Sequence, residues 1–234
     1  MAWIEHHYAD SDALIAAVTA RLHERCNAGL NQHGRALLSL AGGRTPLPIY
    51  RALAASALDW RHIVAMPGDE RCVPQTHAAS NVAALREAFA AADGVRIESL
   101  TTADGDPDAS LAHARTLLGA HAQAFDAVVL GMGEDAHTAS LFPGADALPD
   151  AMAKDATEDA FLLVPNPLPP EAPFPRVTLG LARLLRARSL HLIVTGARKR
   201  DVLRAAQTAH DPQRAPISAV LHASGTVVHV HWSP

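Results

Sequence analysis

The chain has 234 residues, of which 49% are hydrophobic and 19% charged, and its formal net charge is −4. This size and composition predict one globular domain over residues 1–234, and the weak negative charge argues against a nucleic-acid partner. The chain lacks the run of about 20 apolar residues that a membrane span needs, and residues 1–7 lack the cationic and apolar regions of a signal peptide.

Strand-like and helical patterns alternate through the first half of the chain. The segment Asp10-Ser11-Asp12 suits the start of a helix, and Gly29 is expected just past the end of that helix. An apolar strand over 36–41 stops at Gly42-Gly43, and the next helix is expected to begin at Thr45-Pro46, with Thr45 as its cap. The further elements expected are a strand over 62–66, a helix over 80–91, a strand over 95–100 and a helix over 110–122.

The same alternation continues to the end of the chain. The clearest buried strand covers 125–130, and a strand over 161–164 leads into a proline-rich segment, 165–175, interpreted as a functional loop. A helix over 178–186, a strand over 189–195, a helix over 198–209 and a strand over 226–232 are expected to follow. His229 and His231 are expected on the outer face of this terminal strand. The pattern predicts an α/β fold with a mainly parallel, doubly wound sheet and helices on both faces.

Polar or glycine-rich segments follow several of the predicted strands. In open α/β sheets, ligands bind beyond the carboxyl ends of the strands. The first such segment is Gly42-Gly43-Arg44-Thr45, where glycines and a helix N-terminus suit an anion. A tight turn with a threonine cap is the alternative. The segment matches neither of the common nucleotide-binding glycine motifs, which lowers the case for a nucleotide cofactor.

Cationic side chains follow three further predicted loops or strands. Arg71, in Asp69-Glu70-Arg71, suits bidentate recognition of a phosphate. A surface ion pair of Arg71 with Glu70 or Asp69 is the alternative. Arg176 follows the proline-rich loop and Lys199 follows Gly196, where each would be either a phosphate-facing cation or an ordinary solvated one.

The segment after the buried strand 125–130 carries the chemistry of a general base. Gly131 and Gly133 predict a turn that places Asp135 and His137 at the start of a short helix. A neutral imidazole oriented by a carboxylate can take a proton near neutral pH. An ordinary loop histidine is the alternative. Ser140 lies nearby, but the chain has no G-x-S-x-G elbow to make it a nucleophile.

These segments resemble one known family. Gly133-Glu134-Asp135-Ala136-His137-Thr138-Ala139-Ser140-Leu141-Phe142-Pro143 is similar to the 6-phosphogluconolactonase signature G-x-D-G-H-T-A-S-L-F-P. Further blocks match in order from about residue 35 to 205: Gly42-Gly43-Arg44-Thr45-Pro46, Asp69-Glu70-Arg71 with Ser80-Asn81, Arg176-Val177-Thr178 and Gly196-Ala197-Arg198-Lys199. Ala136 replaces the usual glycine, which would cost about 1 kcal/mol at positive φ and would be harmless or slightly stabilising at negative φ.

The resemblance implies a Rossmann-like fold shared with glucosamine-6-phosphate deaminases. It also implies hydrolysis of 6-phosphoglucono-1,5-lactone to 6-phosphogluconate in the pentose phosphate pathway, with no cofactor. His137 is then the general base and Asp135 its supporting carboxylate. The residues expected to bind the substrate and its phosphate are Gly42, Gly43, Arg44, Thr45, Asp69, Arg71, Arg176 and Lys199.

Two other functions remain open from the sequence, a glucosamine-6-phosphate deaminase and a sugar-phosphate sensor without catalysis. Cys26 and Cys72 lie far apart without a C-x-x-C spacing, which predicts free thiols and a cytoplasmic protein. No ligand set for a metal is evident, since the His229–His231 pair lacks a third partner. We expect a monomer or a weak homo-oligomer.

Overall fold

A computed structural model of the chain describes residues 3–168 and 172–234. These described residues form ten strands and eight α-helices. The strands are β1 (Trp3–His7), β2 (Ala36–Leu40), β3 (Ile63–Pro67), β4 (Asp69–Arg71), β5 (Arg96–Ile97), β6 (Ala127–Leu130), β7 (Ala160–Leu163), β8 (Arg176–Leu179), β9 (Leu190–Thr195) and β10 (Val228–Ser233). The helices are α1 (Ser11–His33), α2 (Leu47–Ala54), α3 (Asn81–Ala88), α4 (Pro107–Ala120), α5 (Leu148–Ala151), α6 (Leu181–Leu185), α7 (Ala197–Thr208) and α8 (Ile217–Leu221).

The main sheet has seven strands, all paired in parallel, in the order β1-β10-β9-β6-β2-β3-β5. Successive side chains of a strand point to opposite faces, so each central strand supplies two cores. Leu38 and Leu40 of β2 pack with α1, α2 and α3, whereas Leu37 packs with the helices of the other face. The predicted doubly wound parallel sheet with helices on both faces is confirmed.

The chain reverses its direction across the sheet between β2 and β6. After β2 it continues to β3 and β5 on one side, and it then returns to β6, β9 and β10 on the other. A doubly wound sheet opens a crevice at such a switch point, because the loops that leave the two neighbouring strands turn to opposite faces. The loops after β2 and β6 are the two glycine-rich segments of the sequence.

A small antiparallel sheet lies beside the main one and corrects two predictions. It has the order β4-β8-β7. The strand expected at 161–164 therefore belongs to this sheet, and the helix expected over 178–186 is wrong in its first part. Residues Arg176–Leu179 form β8, whose backbone pairs with both β4 and β7. This pairing, together with the strand preference of Val177 and Thr178, outweighs the helical spacing, and only α6 remains helical.

Other element boundaries differ for local reasons. Helix α1 runs through Gly29 to His33 and ends at Gly34, whose φ is 67°. Gly29 lies inside the helix at a close approach to β6, where a Cβ would lie 2.9 Å from the Asp126 carboxyl carbon. Helix α2 begins at Leu47 without a side-chain cap, so the expected Thr45 cap is wrong. Strand β1 and helix α8 were not predicted, and residues 169–171 of the proline-rich loop lie outside the described residues.

The expected position of His229 and His231 is also wrong. Strand β10 lies between β1 and β9 rather than at an edge, and helix α1 packs against it. His231 is fully buried. Cys26 and Cys72 are free thiols, as predicted. Within residues 3–168 and 172–234, no helix combines the length and apolarity needed to cross a membrane.

Candidate active site

A cleft of about 410 Å³ opens beyond the carboxyl ends of β2, β6 and β9. It collects nearly all the side chains that the sequence analysis selected from separate segments. Asp135 does not line the cleft but contacts His137, which does. The predicted residues that line it are Gly42, Gly43, Arg44, Thr45, Asp69, Arg71, His137, Arg176 and Lys199.

His137 and Asp135 form a close pair. The distance from His137 Nδ1 to Asp135 Oδ1 is 2.6 Å, and the His137 backbone N–H donates to the same oxygen at 3.2 Å. Burial alone would raise the pKa of Asp135, but the hydrogen bond and charge of His137 outweigh it and lower that pKa. Asp135 therefore holds an ionised carboxylate against Nδ1. Nε2 is the ring nitrogen that Asp135 does not contact.

The segment that carries this pair is a series of turns rather than the expected short helix. The backbone folds back on itself through hydrogen bonds from Gly133 N–H to His137 O and from Ala136 N–H to Gly133 O. Ala136 has a φ of 63° and Ala139 a φ of 48°. A single L-residue in the left-handed region is enough to interrupt a right-handed α-helix. The side chains of Asp135 and His137 meet because of this reversal.

Two arginines face each other across the small sheet. Arg71 of β4 and Arg176 of β8 are direct partners in the antiparallel register, and both line the cleft. Arg176 is only 3% exposed, and its Nε and Nη1 have no hydrogen-bond partner among the described residues. Burial lowers the pKa of Arg176, the charge of Asp69 opposes this, and the charge of Arg71 adds to it. Buried guanidinium nitrogens of this kind favour an anionic ligand.

Asp69 balances part of this positive charge from the floor of the cleft. Its carboxylate accepts a hydrogen bond from Ser140 Oγ, and the Ser140 backbone N–H donates to Thr178 Oγ1 at 3.2 Å. The Ser140 hydroxyl is therefore directed to Asp69 rather than to His137. This arrangement lacks the serine–histidine hydrogen bond that an activated serine nucleophile requires.

Glu70 has a structural role and does not form the surface ion pair considered as an alternative. The side chain is fully buried and accepts hydrogen bonds from the backbone of Asn81 and Val82 and from Ser80 Oγ. These groups form the N-terminus of α3, where a carboxylate is stabilised by free N–H groups and the helix dipole. Burial raises the pKa of Glu70 in spite of these bonds.

The glycine-rich loop lies opposite the arginines. A Cβ on Gly42 would overlap the Asn81 side chain, and Asn81 in turn donates to the Asp69 backbone carbonyl at 2.7 Å. Gly43 has a φ of 90°, which favours glycine. Arg44 and Thr45 are exposed at the cleft mouth. Thr45 does not cap α2, and it lines the cleft instead.

Phe142 is a site residue that the sequence analysis overlooked. It appears there only as a letter of the signature, yet it lines the cleft. Its ring stacks on His137 with a centroid separation of 4.1 Å. The Arg176 guanidinium carbon lies 4.6 Å from the same ring centre. A sequence spacing of five residues does not predict stacking in either a helix or a strand, so only the folded turn reveals this contact.

Comparison with known proteins supports one family. The model of the family described as glucosamine-6-phosphate isomerases/6-phosphogluconolactonase matches residues 9–232. The chain is 34% identical over 221 residues to a 6-phosphogluconolactonase of Pseudomonas aeruginosa, covering 93% of this chain and 89% of the relative. It is 36% identical over 236 residues to one of Mesorhizobium japonicum, covering 97% and 94%. A crystal structure of a 6-phosphogluconolactonase from Shewanella baltica superposes with a TM-score of 0.92 at 29% identity, covering 99% and 97%. The chain therefore belongs to the family of glucosamine-6-phosphate isomerases and 6-phosphogluconolactonases.

Proposed function

We propose that the protein hydrolyses 6-phospho-D-glucono-1,5-lactone to 6-phospho-D-gluconate, a step of the oxidative pentose phosphate pathway. One observation carries the proposal: His137, held by the Asp135 carboxylate, lines the same cleft as the facing arginines Arg71 and Arg176. Lactone hydrolysis needs a base for water, and a phosphorylated substrate needs cations. The family relatives named above carry the same activity in their names.

His137 is the proposed general base. With Nδ1 held by Asp135, Nε2 takes a proton from water as the water oxygen attacks C1 of the lactone. The ring C–O bond then breaks, and the imidazolium returns the proton to the departing ring oxygen. The new carboxylic acid ionises in water. Asp135 stabilises the transient imidazolium, as the carboxylate does in other histidine–carboxylate pairs.

We assign the substrate phosphate to the positively charged side chains of the cleft and the sugar hydroxyls to its negatively charged side chain. Arg71 and Arg176 supply the forked donors that suit a phosphate, with Lys199, Arg44, Thr45 and the Gly42–Gly43 backbone nearby. A carboxylate repels phosphate, so we assign Asp69 to the sugar hydroxyls. Holding the phosphate in place positions C1 near His137, which contributes to the rate by orientation alone.

We further propose that residues 1–234 act as one cytoplasmic domain, as a monomer or a weak homo-oligomer. Both apolar clusters pack on the same parallel sheet, which supports a single folding unit. Two thiols without a disulfide partner suit a reducing compartment. The proposed reaction adds water across the lactone C–O bond without any change of oxidation state, so its chemistry requires no redox cofactor.

The test is a coupled assay on freshly generated lactone with wild type and His137→Ala. The variant is expected to lose about 10²- to 10⁴-fold in kcat, the usual contribution of a general base. His113→Ala removes an exposed histidine on α4 and should leave turnover unchanged. Arg71→Ala should raise KM more than it lowers kcat. Hydrolysis by His137→Ala at the wild-type rate, after correction for spontaneous ring opening, would rule out this base.

The same preparations test the two other functions. Incubation of the wild type with glucosamine 6-phosphate and an ammonia assay should detect no release. Ammonia release at a rate above lactone turnover would assign the chain to the isomerase branch of its family. Tight binding of 6-phosphogluconate without any lactone turnover would instead support a sensor.

A further inference from the structure

Three parts of the structure surround the His137 ring. Asp135 contacts Nδ1 at 2.6 Å, Gly133 lies so close that a Cβ there would overlap the imidazole, and Phe142 covers a ring face at 4.1 Å with an interplanar angle of 26°. A hydrogen bond to one ring nitrogen allows the ring to tilt about that bond. A flat contact on the face opposes this tilt, because stacked rings lose dispersion contact when they rotate apart.

Phe142 itself is held firmly. Phe142 is 8% exposed and belongs to the same apolar cluster as Leu141 and Met132. The turn closed by Leu141 N–H and Thr138 O brings residue 142 back over residue 137. The same ring also lies under the Arg176 guanidinium, at a distance of 4.6 Å. Phe142 therefore touches both the proposed base and the proposed phosphate-binding cation.

We propose that Phe142 is a positioning residue, whose ring sets the plane of the His137 imidazole relative to the Arg176 anion site. The proposal rests on the lactonase function proposed above. Phe142 forms no bond with substrate and transfers no proton. It keeps Nε2 directed at the carbon that a phosphate bound at Arg176 presents, which is the kind of alignment whose loss by about 1 Å costs up to about 10²-fold in rate.

The test replaces the flat ring by an apolar side chain without a face. Phe142→Leu keeps most of the apolar cover beneath Arg176 but cannot stack on His137. We expect kcat to fall by at least about tenfold, with a smaller change in KM, because binding groups stay in place while the base loses its alignment. The separate variant Phe142→Tyr keeps the ring, and its kcat should stay within about threefold of the wild type.

Phe125→Leu is the matched control. Phe125 is fully buried in the same apolar cluster and has the Arg183 guanidinium carbon 3.8 Å from its ring centre, but it precedes β6 at the other end of the sheet. We expect it to lower the melting temperature without lowering kcat at a temperature where it is folded. If Phe142→Leu is not recovered folded, Phe142→Met, a flexible apolar replacement, takes its place.

A second measurement does not depend on turnover. A stacked phenyl ring shifts the imidazole carbon-bound protons of His137 upfield in NMR spectra, and these signals are assigned by their loss in His137→Ala. They should move downfield in Phe142→Leu and stay in Phe142→Tyr. Unchanged signals, or a kcat of Phe142→Leu within about twofold of the wild type, would overturn the proposal. If the wild type itself lacks lactonase activity, the proposed function fails while the NMR shift still tests the stacking.

Discussion

Ala136 is the residue at which this chain departs from the family signature, and its backbone explains why glycine is usual there. Its φ of 63° lies in the left-handed region, which is unfavourable for an L-residue by roughly 1–2 kcal/mol. The conformation persists because the surroundings hold it. Its carbonyl accepts a hydrogen bond from Ile217 N–H at 3.1 Å, and its methyl group is buried.

Ala136→Gly is expected to stabilise the protein by up to about 1 kcal/mol. It removes the left-handed strain, while the greater freedom of glycine in the unfolded chain and the lost methyl contacts offset part of the gain. Urea unfolding of variant and wild type measures the difference. Ala112→Gly, at an exposed position of α4, should instead destabilise by about 1 kcal/mol. Equal destabilisation by both glycines would contradict the strain at residue 136.

Gly133 leaves room for the His137–Asp135 contact because it has no side chain. A Cβ at this position would overlap both His137 Nδ1 and Asp135 Oδ1. Gly133→Ala should therefore push the pair apart and lower kcat about tenfold or more, with the fold retained. Gly119→Ala on α4, where a Cβ meets open space, is the control for activity and melting temperature. Wild-type kcat in Gly133→Ala would show that the His137–Asp135 contact does not limit the reaction.

At the scale of elements, Glu70 joins β4 to the start of α3. Its carboxylate accepts the Asn81 and Val82 N–H groups at 2.8 and 2.7 Å, so the strand that carries Arg71 is fixed to the helix that carries Asn81. Three consecutive charged residues thus separate into three roles. Asp69 and Arg71 line the cleft and Glu70 points into the protein, because alternate side chains of a strand face opposite ways.

A row of histidines lies under helix α1, on β10, β9 and β1. Hydrogen bonds join Tyr8 to His231 at 2.9 Å, His231 to His191 at 3.0 Å, and His191 to Ser189 at 2.7 Å. Burial, together with the charges of neighbouring histidines and of Arg21, lowers the pKa of His191 to about 3 and that of His231 to about 2. Both imidazoles are therefore neutral in the folded protein over the physiological pH range.

This row predicts acid-sensitive stability. The unfolded histidines bind protons below about pH 6.5 and the folded ones do not, so stability is complete above that pH and falls as the pH drops. Each of the two buried histidines contributes a loss of up to about 1.4 kcal/mol per pH unit below 6.5. Urea unfolding at pH 7.5, 6.5 and 5.5 measures the slope, and His191→Asn should reduce it. A free energy of unfolding that stays level from pH 7.5 to 5.5 would exclude this account.

At the scale of the whole molecule, the site exists because four loops meet at one end of a parallel sheet. Parallel pairing sends the carboxyl ends of β2, β3, β6 and β9 to the same edge, and the switch between β2 and β6 opens the crevice there. The sequence positions of Gly42, Arg71, His137 and Lys199 after apolar strands were enough to predict this convergence. The signal was strong because buried parallel strands appear as short continuous apolar runs.

Arg176 was predicted for the site, but its surroundings were not. The helix expected at 178–186 would have put it in a loop, whereas it lies in a strand paired with Arg71. Strand pairing between residues more than 100 positions apart leaves no periodic trace in either segment. The predicted outer position of His229 and His231 was wrong for a similar reason. Their alternation with valines indicated the two faces of a strand, but it could not show that a helix covers one of these faces.

Local sequence was sufficient for most strands and helices of the main sheet, for the glycine-rich segment that carries His137 and for the cations at strand ends, because hydrophobic period and turn chemistry act over a few residues. Tertiary structure alone decided the contacts that define the chemistry. These are the His137–Asp135 distance within a turn that has left-handed residues, the stacking of Phe142 on His137, the Arg176 nitrogens that have no partner among the described residues, and the burial of the histidine row. Each depends on contacts between segments that are distant in the sequence. Such contacts form only when the folded chain packs its two apolar cores.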